Sequence, residues 1–318
     1  MISETNKILV IRGGAIGDFI LTLPVLSALR AHFPTSRLAV LGYPRIASMA
    51  QAGGLADEIR SIEERPLAQF FARNGSLDPG FSTWFQGFAI VISYLYDPDE
   101  LFSTNVRRSL RGQFIAGPHR PPTGLTRHMS DVLLEPLQRL AVFDPDPIPR
   151  LVLPSGCLCP EQMDLLDWVR RTQPLAVHPG SGSDEKNWPE LRWCKFLKRW
   201  ERSEDSPLLL IGGEAEAERL SRLMGQLSPT RHRLARNLPL PFLGQLLGRC
   251  RAFVGHDSGI THLAASVGVP VTALWGRTSA ETWRPRHPQT RLIECGSKLA
   301  ELEVAIVMEK VRAMLSHF

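Results

Sequence analysis

The chain has 318 residues, of which 43% are hydrophobic and 22% charged, and its formal net charge at pH 7 is +5. This length suits two domains of ordinary size, and the composition is that of a soluble globular protein with a packed core. The first residues lack the basic and apolar regions of a signal peptide, and the longest apolar stretch, 19–29, is shorter than the roughly 20 residues that cross a bilayer. We therefore expect a cytoplasmic protein without a membrane span.

In the first half of the chain, short apolar runs alternate with helical patterns. Three runs have the length of buried strands: 8–11, 38–41 and 90–94. Helical patterns follow the first two runs, at 19–32 and 45–52. Short buried strands separated by helices are typical of a parallel, doubly wound sheet. Pro and Asp then cluster at 143–149, which indicates a linker or its approach.

The same alternation restarts after this cluster. Strands are predicted at 175–177, 208–211, 252–254 and 271–274. Helices are predicted near 160–171, 190–201, 214–224, 241–249 and 258–267. Two α/β domains account for this pattern, and we place them at 1–155 and 156–318, with a ligand cleft expected between their strand ends. The last helix, about 299–315, is a candidate to return to the first domain.

Two Gly- and Ser-rich segments of the second half, 178–189 and 254–265, each follow a predicted strand and precede a predicted helix. Free backbone N–H groups and the positive end of a helix favour an anion at such a turn. Small residues allow a close approach, and Lys186 adds a mobile positive charge. Two such turns in one domain predict a diphosphate site.

The turn after the first strand, 13–18, departs from the dinucleotide-binding fingerprint that it resembles. Arg12 occupies the position of the first glycine, and no acidic residue ends the strand at 38–41. The turn instead brings Asp18 to the start of a helix. Two interpretations stay open: Asp18 caps the helix, or its carboxylate points into the cleft and takes a proton from a hydroxyl.

Several polar residues of the second half also allow two interpretations. His178 and His262 are either packed residues or ligand contacts. Glu214, directly after a predicted strand, is a candidate to bind ribose hydroxyls. Glu216 and Glu218 are interpreted as residues of a helix surface.

The sequence predicts no metal site. Five cysteines, an odd number, show neither CxxC nor His-rich spacing, and Cys157 and Cys159 have no second ligand pair nearby. Asp97-Pro-Asp99 and Asp144-Pro-Asp146 resemble the Asp-x-Asp pairs that hold a divalent ion, but the proline in each favours a turn.

A basic window at 101–130 contains no Asp or Glu and these arginines: Arg107, Arg108, Arg111, Arg120 and Arg127. The window is either a solvated surface or a surface that faces an anion such as a phosphate, a carboxylate or a charged membrane. It lacks the interleaved aromatic residues of a stacking platform, so we expect no nucleic-acid partner.

Four groups of residues, in order over nearly the whole chain, resemble the motifs of glycosyltransferase family 9, the heptosyltransferase-type enzymes of lipopolysaccharide assembly. They are Gly17-Asp18 with Thr22-Leu-Pro24, His178-Pro-Gly-Ser181 with Lys186-Asn-Trp-Pro189, Gly212-Gly213, and Asp257-Ser-Gly259 with Thr261-His-Leu-Ala-Ala265, Gly268-Val-Pro270 and Leu274-Trp-Gly276. The resemblance implies an α/β protein of the GT-B fold, with two Rossmann-like doubly wound parallel-sheet domains facing across a cleft. It also implies an inverting transfer from a nucleotide diphosphate sugar, typically ADP-heptose, without a metal or a cofactor.

The resemblance assigns roles to individual residues. Asp18 matches the catalytic base of the family. The second domain would bind the donor, with contacts to its phosphates and sugar at Ser181, Gly182, Ser183, Lys186, Asp257, Ser258, Gly259, Thr261 and His262. Glu214 remains the candidate for the ribose. On the acceptor side the candidates rest on position and charge: Gly14, Arg107, Arg108, Arg111, Arg120 and Arg127.

The expected function is therefore transfer of a sugar, most often heptose, to a lipopolysaccharide core or a related anionic glycan or glycolipid. Such an acceptor leaves open a peripheral association with the inner membrane. Two alternatives also stay open: the same fold acting on a protein or another polysaccharide, and a nucleotide-sugar binding module without transfer activity. The second alternative would need the phosphate loops but no base at Asp18.

Overall fold

The structure of the protein is a computed structural model that describes residues 6–73, 75–121, 126–154, 156, 158–182 and 186–316. The chain divides into two compact units, Met1–Leu151 and Val152–Phe318. The division lies four residues before the boundary that we place at 155 from the sequence. Among the described residues, no helix is long and apolar enough to cross a membrane.

The N-terminal unit is built on a sheet of five parallel strands in the order β3-β2-β1-β4-β5. The strands are β1 Lys7–Arg12, β2 Arg37–Gly42, β3 Glu58–Ser61, β4 Ile90–Ser93 and β5 Gln113–Ala116. The α-helices are α1 Ile16–Ile20, α2 Leu23–His32, α3 Pro44–Ala52, α4 Pro79–Gln86, α5 Leu101–Ser109 and α6 Met129–Leu134. Short 3-10 helices lie at Arg65–Phe71 and Glu135–Leu140.

The apolar strands of this unit are buried because helices cover both faces of the sheet. One core cluster joins the strands to a group of phenylalanines that includes Phe70, Phe81 and Phe85. Pro24, in the first turn of α2, separates this helix from α1, so the single helix predicted at 19–32 is two helices in the structure. β4 pairs with β1 on the side opposite β2, and the sheet therefore has its switch point between β1 and β4.

The C-terminal unit contains six parallel strands in the order β11-β10-β9-β6-β7-β8. They are β6 Leu175–His178, β7 Leu208–Gly212, β8 Arg233–Arg236, β9 Ala252–His256, β10 Val271–Trp275 and β11 Thr290–Glu294. The α-helices are α7 Pro160–Thr172, α8 Glu190–Ser203, α9 Ala217–Met224, α10 Leu240–Leu247, α11 Gly259–Ser266, α12 Ala280–Trp283 and α13 Val304–Leu315. A 3-10 helix spans Gly296–Glu301.

One core cluster of the C-terminal unit contains three fully buried tryptophans, Trp188, Trp193 and Trp200. The rings of Trp188 and Trp193 meet edge to face with their centroids 5.0 Å apart. The last helix, α13, packs against α8, β9 and β10 of this unit. The prediction of two parallel α/β domains is confirmed, and the switch point of the second sheet lies between β6 and β9.

Candidate functional site

Each sheet brings its chemically interesting residues to the carboxyl ends of the strands at its switch point. Ligands of open parallel sheets bind there, because the two loops leave the edge in opposite directions and open a crevice. In the N-terminal unit the loops follow β1 and β4, and in the C-terminal unit they follow β6 and β9.

In the N-terminal unit, the turn after β1 folds the Asp18 carboxylate back onto the start of α1. Ala15 donates its backbone N–H to Asp18 Oδ2 over 2.9 Å, which satisfies one of the free amides of the helix. Gly14 makes this possible, because its φ is +98° and a Cβ there would lie 2.8 Å from Oδ2. Asp18 therefore does cap the turn, with one oxygen, and its side chain remains partly exposed.

Beneath Asp18 lies the side chain of Arg12, which ends β1 and is buried. Its Nη2 is 3.5 Å from Asp18 Oδ1, and its Nη1 donates to the carbonyls of Tyr94 at 3.4 Å and His119 at 3.5 Å. Burial lowers the pKa of Arg12, whereas the neighbouring Asp18 opposes that shift. A buried guanidinium thus faces the carboxylate and joins the turns after β1, β4 and β5.

In the C-terminal unit, Lys186 and Asp257 meet although they are 71 positions apart in the sequence. Lys186 Nζ donates to Asp257 Oδ2 over 2.8 Å. The lysine is the more exposed partner and the aspartate is largely buried. Parallel pairing of β6 with β9, with His178 opposite Gly255, places the two loops side by side. The sequence prediction that these segments share a site agrees with this geometry.

His256, at the end of β9, holds in place the loop between β6 and α8, which contains Lys186 and is called the Lys186 loop or first loop. Its Nε2 accepts the backbone N–H of Trp188 at 2.8 Å, so its Nδ1 carries the proton and donates to the carbonyl of Gly180 at 3.2 Å. Burial lowers the pKa of His256 to about 3, and the imidazole is neutral at neutral pH. The sequence analysis did not single out His256, although a histidine at the end of an apolar strand is a usable signal.

The second loop ends at the N-terminus of α11, which Ser258 caps by accepting the Thr261 N–H. Ser258 Oγ also lies 3.4 Å from His178 Nδ1, and Thr261 donates its hydroxyl to the carbonyl of His256. Thr261 and His262 are buried, whereas Ser258 and Gly259 are half-buried at the start of the helix. Ser258 and Gly259 are thus better placed than Thr261 and His262 to contact an anion. Burial lowers the pKa of His178 to about 4.

The first loop contains Gly180, Ser181 and Gly182, of which Ser181 is half-buried and Gly182 exposed. Ser183 and Cys157 lie outside the described residues. Position 180 favours glycine, since a Cβ there would lie 2.3 Å from the side chain of Glu216.

Comparison with known proteins adds to this geometry. The profile of Glycosyltransferase family 9 (heptosyltransferase) matches residues 161–310, which include the Lys186 and Asp257 loops. This match covers most of the C-terminal unit and slightly less than half of the chain. Lipopolysaccharide heptosyltransferase 1 of Pseudomonas aeruginosa is 35% identical over 94 residues, which are 30% of this chain and 26% of that protein. The aligned stretch thus spans about a quarter of this relative.

Solved structures show that the chain has the GT-B fold. A family 9 glycosyl transferase from Veillonella parvula DSM 2008 is 19% identical, with a TM-score of 0.79 and coverage of 98% of both chains. The E. coli heptosyltransferase WaaC with ADP is 16% identical, with a TM-score of 0.76 and coverage of 97% of this chain and 99% of that one. At these identities the likeness establishes the architecture.

One residue close to the loop after β6 differs from its interpretation in the sequence. Glu216, interpreted as a residue of the helix surface, folds back so that its Oε2 accepts the Gly213 N–H at 2.8 Å and its stem covers Gly180. That interpretation is wrong for Glu216, because the backbone turns before α9 begins at Ala217. Glu218 is on the helix surface as expected. Glu214, the sequence candidate for ribose, is exposed, and Glu216 is nearer to the first loop.

The arginines of the basic window do not share one surface. Arg107 and Arg108 lie in the last turn of α5 and Arg111 precedes β5, so these residues lie at the amino edge of the sheet, opposite Asp18. The ring of Phe114 lies 4.7 Å from the Arg107 guanidinium. Arg120 follows β5 and reaches the carboxyl edge. Arg127 forms a surface ion pair with Glu135. Placement therefore favours Arg120 over Arg107, Arg108 and Arg111 for a ligand that contacts Asp18.

Both Asp-Pro-Asp segments serve as turns. Asp97 accepts the backbone N–H groups of Phe102 at 3.1 Å and Ser103 at 2.8 Å and so supports the first turn of α5. Asp146 accepts the N–H of Ile148 at 3.0 Å. Within the described part of the chain, no group of three or more His, Cys, Asp and Glu side chains is arranged to hold a metal ion.

Proposed function

We propose that the protein is an inverting glycosyltransferase that moves heptose from ADP-heptose to a lipopolysaccharide core or a related cell-surface glycan. The observation that carries the proposal is the convergence of two phosphate-type loops, with Lys186 and Asp257, at the switch point of the family 9 unit. ADP is the nucleotide named with the E. coli heptosyltransferase of the same fold, and the Pseudomonas relative is named for lipopolysaccharide heptose transfer.

The donor diphosphate would lie against the loops after β6 and β9. Lys186 supplies a cation, and the first amides of α11, at Gly259 and the next residue, point out of the helix as hydrogen-bond donors. These groups are held before the reaction begins, because His256 fixes the Lys186 loop from both sides. They would stabilise the charge that develops on the leaving nucleotide diphosphate. In this proposal that stabilisation requires neither a metal nor a cofactor.

Asp18 would be the general base. Its Oδ2 is occupied by the Ala15 N–H, which leaves Oδ1 to accept a proton from the acceptor hydroxyl. As this proton moves to Oδ1, the hydroxyl oxygen forms its bond to the anomeric carbon while the bond to the diphosphate oxygen breaks on the opposite face. The configuration at that carbon is thereby inverted. Arg12, facing Oδ1 from below, keeps the carboxylate in one orientation.

An acceptor of the lipopolysaccharide type would place the enzyme in the cytoplasm, in peripheral contact with the inner membrane. A protein or another polysaccharide as acceptor, or donor binding without transfer, are the competing outcomes of the experiment. The arrangement of Asp18 supports transfer, because the carboxylate is partly exposed and only one of its oxygens accepts a backbone N–H.

Calorimetric titration with ADP, GDP, UDP and their monophosphates, with and without EDTA, tests the donor site. We expect selective ADP binding that is unchanged by EDTA. Incubation with ADP-heptose and deacylated lipopolysaccharide core then tests transfer, with product anomeric configuration read by NMR. ADP binding that requires a metal ion would contradict the proposed diphosphate site at the loops after β6 and β9. Binding of ADP-heptose without transfer to any glycan would mean that the protein is a nucleotide-sugar binding module.

A further inference from the structure

An aromatic pair, with one exposed and one half-buried ring, lies in the loops after β4 and β5 of the N-terminal unit. Tyr96, in the loop after β4, is 68% exposed. Its ring centroid is 4.7 Å from that of His119, in the loop after β5, and the two rings are inclined by 57°. An exposed aromatic ring that a neighbouring ring holds in place offers a rigid, amphipathic contact surface for a ligand.

Arg12 connects this pair to Asp18. The guanidinium that faces the Asp18 carboxylate also donates to the carbonyls of Tyr94 and His119, one in each of the loops that carry the pair. Arg12 Nε is buried without a hydrogen-bond partner among the described residues, so the side chain is retained here at an energetic cost. The base and the aromatic pair are therefore fixed with respect to each other within a single unit.

The two loops are also packed tightly beneath the pair. The Gly117 N–H donates to the carbonyl of Ser93 at 2.8 Å, and a Cβ on Gly117 would lie 2.5 Å from the ring of Tyr94. The Tyr94 hydroxyl donates to the carbonyl of Leu133 at 2.6 Å. Tyr94 is thus a buried support of the loop, whereas Tyr96 is exposed two residues later.

The electrostatics of the pair suit a hydroxylated ligand. Burial, Arg120 and Arg12 all lower the pKa of His119, so the imidazole is neutral at neutral pH and offers one donor and one acceptor. Arg120 adds an exposed positive charge next to it. A flat apolar ring, a neutral hydrogen-bonding ring and a cation match the apolar face, the hydroxyl groups and an anionic substituent of a sugar.

We propose that Tyr96 and His119 form a subsite for the acceptor, in which a sugar ring stacks on Tyr96 and one of its hydroxyls bonds to His119. An anionic substituent of the same glycan would contact Arg120. This inference rests on the proposed function, because it takes Asp18 as the base that the acceptor must reach. The expected ligand is a sugar, and not the apolar part of a lipid or a peptide, because Tyr96, His119 and Arg120 combine stacking with polar contacts.

The test is a kinetic comparison of Tyr96→Ala, Tyr96→Phe and His119→Ala with the wild type, using ADP-heptose and deacylated lipopolysaccharide core oligosaccharide. Tyr96→Ala should raise the acceptor KM by about tenfold, with a smaller change in kcat, since the stacking surface is lost. Tyr96→Phe retains the ring and should stay near wild type. Phe143→Ala is the matched control, because it removes an exposed aromatic ring, 64% exposed, that is remote from Asp18 in the sequence.

Calorimetry with ADP distinguishes this inference from the proposed function. An acceptor KM that rises in Tyr96→Ala while ADP affinity is unchanged would support the subsite. An unchanged KM, or a parallel loss of ADP affinity, would overturn it and leave the proposed function intact. If the wild type transfers nothing to this glycan, oligosaccharide binding measured by saturation-transfer NMR decides: binding that weakens in Tyr96→Ala supports the subsite, and absent or unchanged binding overturns it.

Discussion

The switch points of the two sheets hold ion pairs of opposite arrangement. In the N-terminal unit the cation is buried and the anion is accessible, with Arg12 4% and Asp18 31% exposed. In the C-terminal unit the anion is buried and the cation is accessible, with Asp257 11% and Lys186 43% exposed. The first pair therefore presents a carboxylate, which can accept a proton, and the second presents an ammonium group, which can bind a phosphate. The same topology thus supports two different kinds of chemistry.

The sharpest test of this comparison is Asp18→Asn. The amide retains the shape of the side chain but cannot accept the proton, so kcat should fall by about 10²–10⁴-fold. ADP affinity should not change, since the substitution leaves the pair in the C-terminal unit intact. Steady-state transfer kinetics and calorimetry measure the two quantities. Asp146→Asn, in the segment 143–149, is the control, and near-normal turnover of Asp18→Asn would remove this residue from the role of base.

Lys186→Ala should have the reverse effect. Loss of a charge-assisted contact to phosphate costs roughly 1.5–3 kcal/mol, which corresponds to a rise of about 10–100-fold in the dissociation constant of ADP. Lys198→Ala removes an exposed lysine whose partner is Gln226, at 2.7 Å, and should leave ADP binding unchanged. Equal ADP affinities of the two variants would mean that Lys186 does not face the diphosphate.

Gly14→Ala tests whether the position of the carboxylate matters beyond its charge. The new Cβ would lie 2.8 Å from Asp18 Oδ2, and we expect kcat to fall by about 10–100-fold because the base is displaced. Gly54→Ala is a matched control: φ is +71° there, but a Cβ would have no neighbour within 4 Å. Both variants should lose about 1–3 kcal/mol of stability in urea unfolding, and only Gly14→Ala should lose activity. Comparable activity losses would show that strain alone is responsible.

The buried histidines predict that acid destabilises the C-terminal unit. His178 and His256 have pKa values of about 4 and about 3 in the folded protein, below their ordinary value of 6.5. The unfolded state binds protons first, so their contribution to stability is complete above pH 6.5 and is lost as the pH falls towards these lower values.

When the pH falls from about 7.5 to 5, the free energy of unfolding of His256→Gln should therefore decrease by about 2 kcal/mol less than that of the wild type. At neutral pH the variant should be the less stable protein. Urea unfolding at both pH values measures this difference. His32→Gln, on the surface of α2, provides the control. A slope identical to that of the wild type would contradict the role given to the buried imidazole.

The smallest expected effect is a difference between arginine substitutions at the two edges of the N-terminal sheet. Arg120→Ala should raise the acceptor KM by roughly two- to fivefold, as expected for an exposed charge contact. Arg107→Ala, at the opposite edge, should leave KM unchanged in the same transfer assay. If Arg107→Ala raised the acceptor KM more than Arg120→Ala does, the whole basic window would again be the candidate acceptor surface.

The limits of the sequence prediction follow the architecture of the sheets. All seven central strands, β1, β2, β4, β6, β7, β9 and β10, were predicted because helices on both faces require continuous apolar runs. The four missed strands, β3, β5, β8 and β11, are the edges of the two sheets. Edge strands are half-exposed and include polar residues such as Glu58 and Arg236, so they lack the apolar pattern.

A similar distinction holds for the candidate site. Lys186, Asp257 and the turn around Asp18 were indicated as candidates by the sequence, because glycines and small polar residues follow buried strands there. Arg12 and Glu216 were not indicated. The role of Arg12 depends on contacts across the sheet, and that of Glu216 depends on the turn before α9. A charged residue that ends an apolar strand, as Arg12 does in KILVIR, is the signal that a sequence could still offer.

Paired measurements on Asp18→Asn and Lys186→Ala test the contrast between the two sites most directly. Calorimetry with ADP and single-turnover transfer from ADP-heptose would be performed on the same preparations. We predict wild-type ADP affinity with lost chemistry in Asp18→Asn, and weakened ADP affinity in Lys186→Ala, with chemistry largely retained when the donor is saturating. Loss of ADP binding in Asp18→Asn, or wild-type affinity in Lys186→Ala, would contradict the assignment of proton transfer to one unit and phosphate binding to the other.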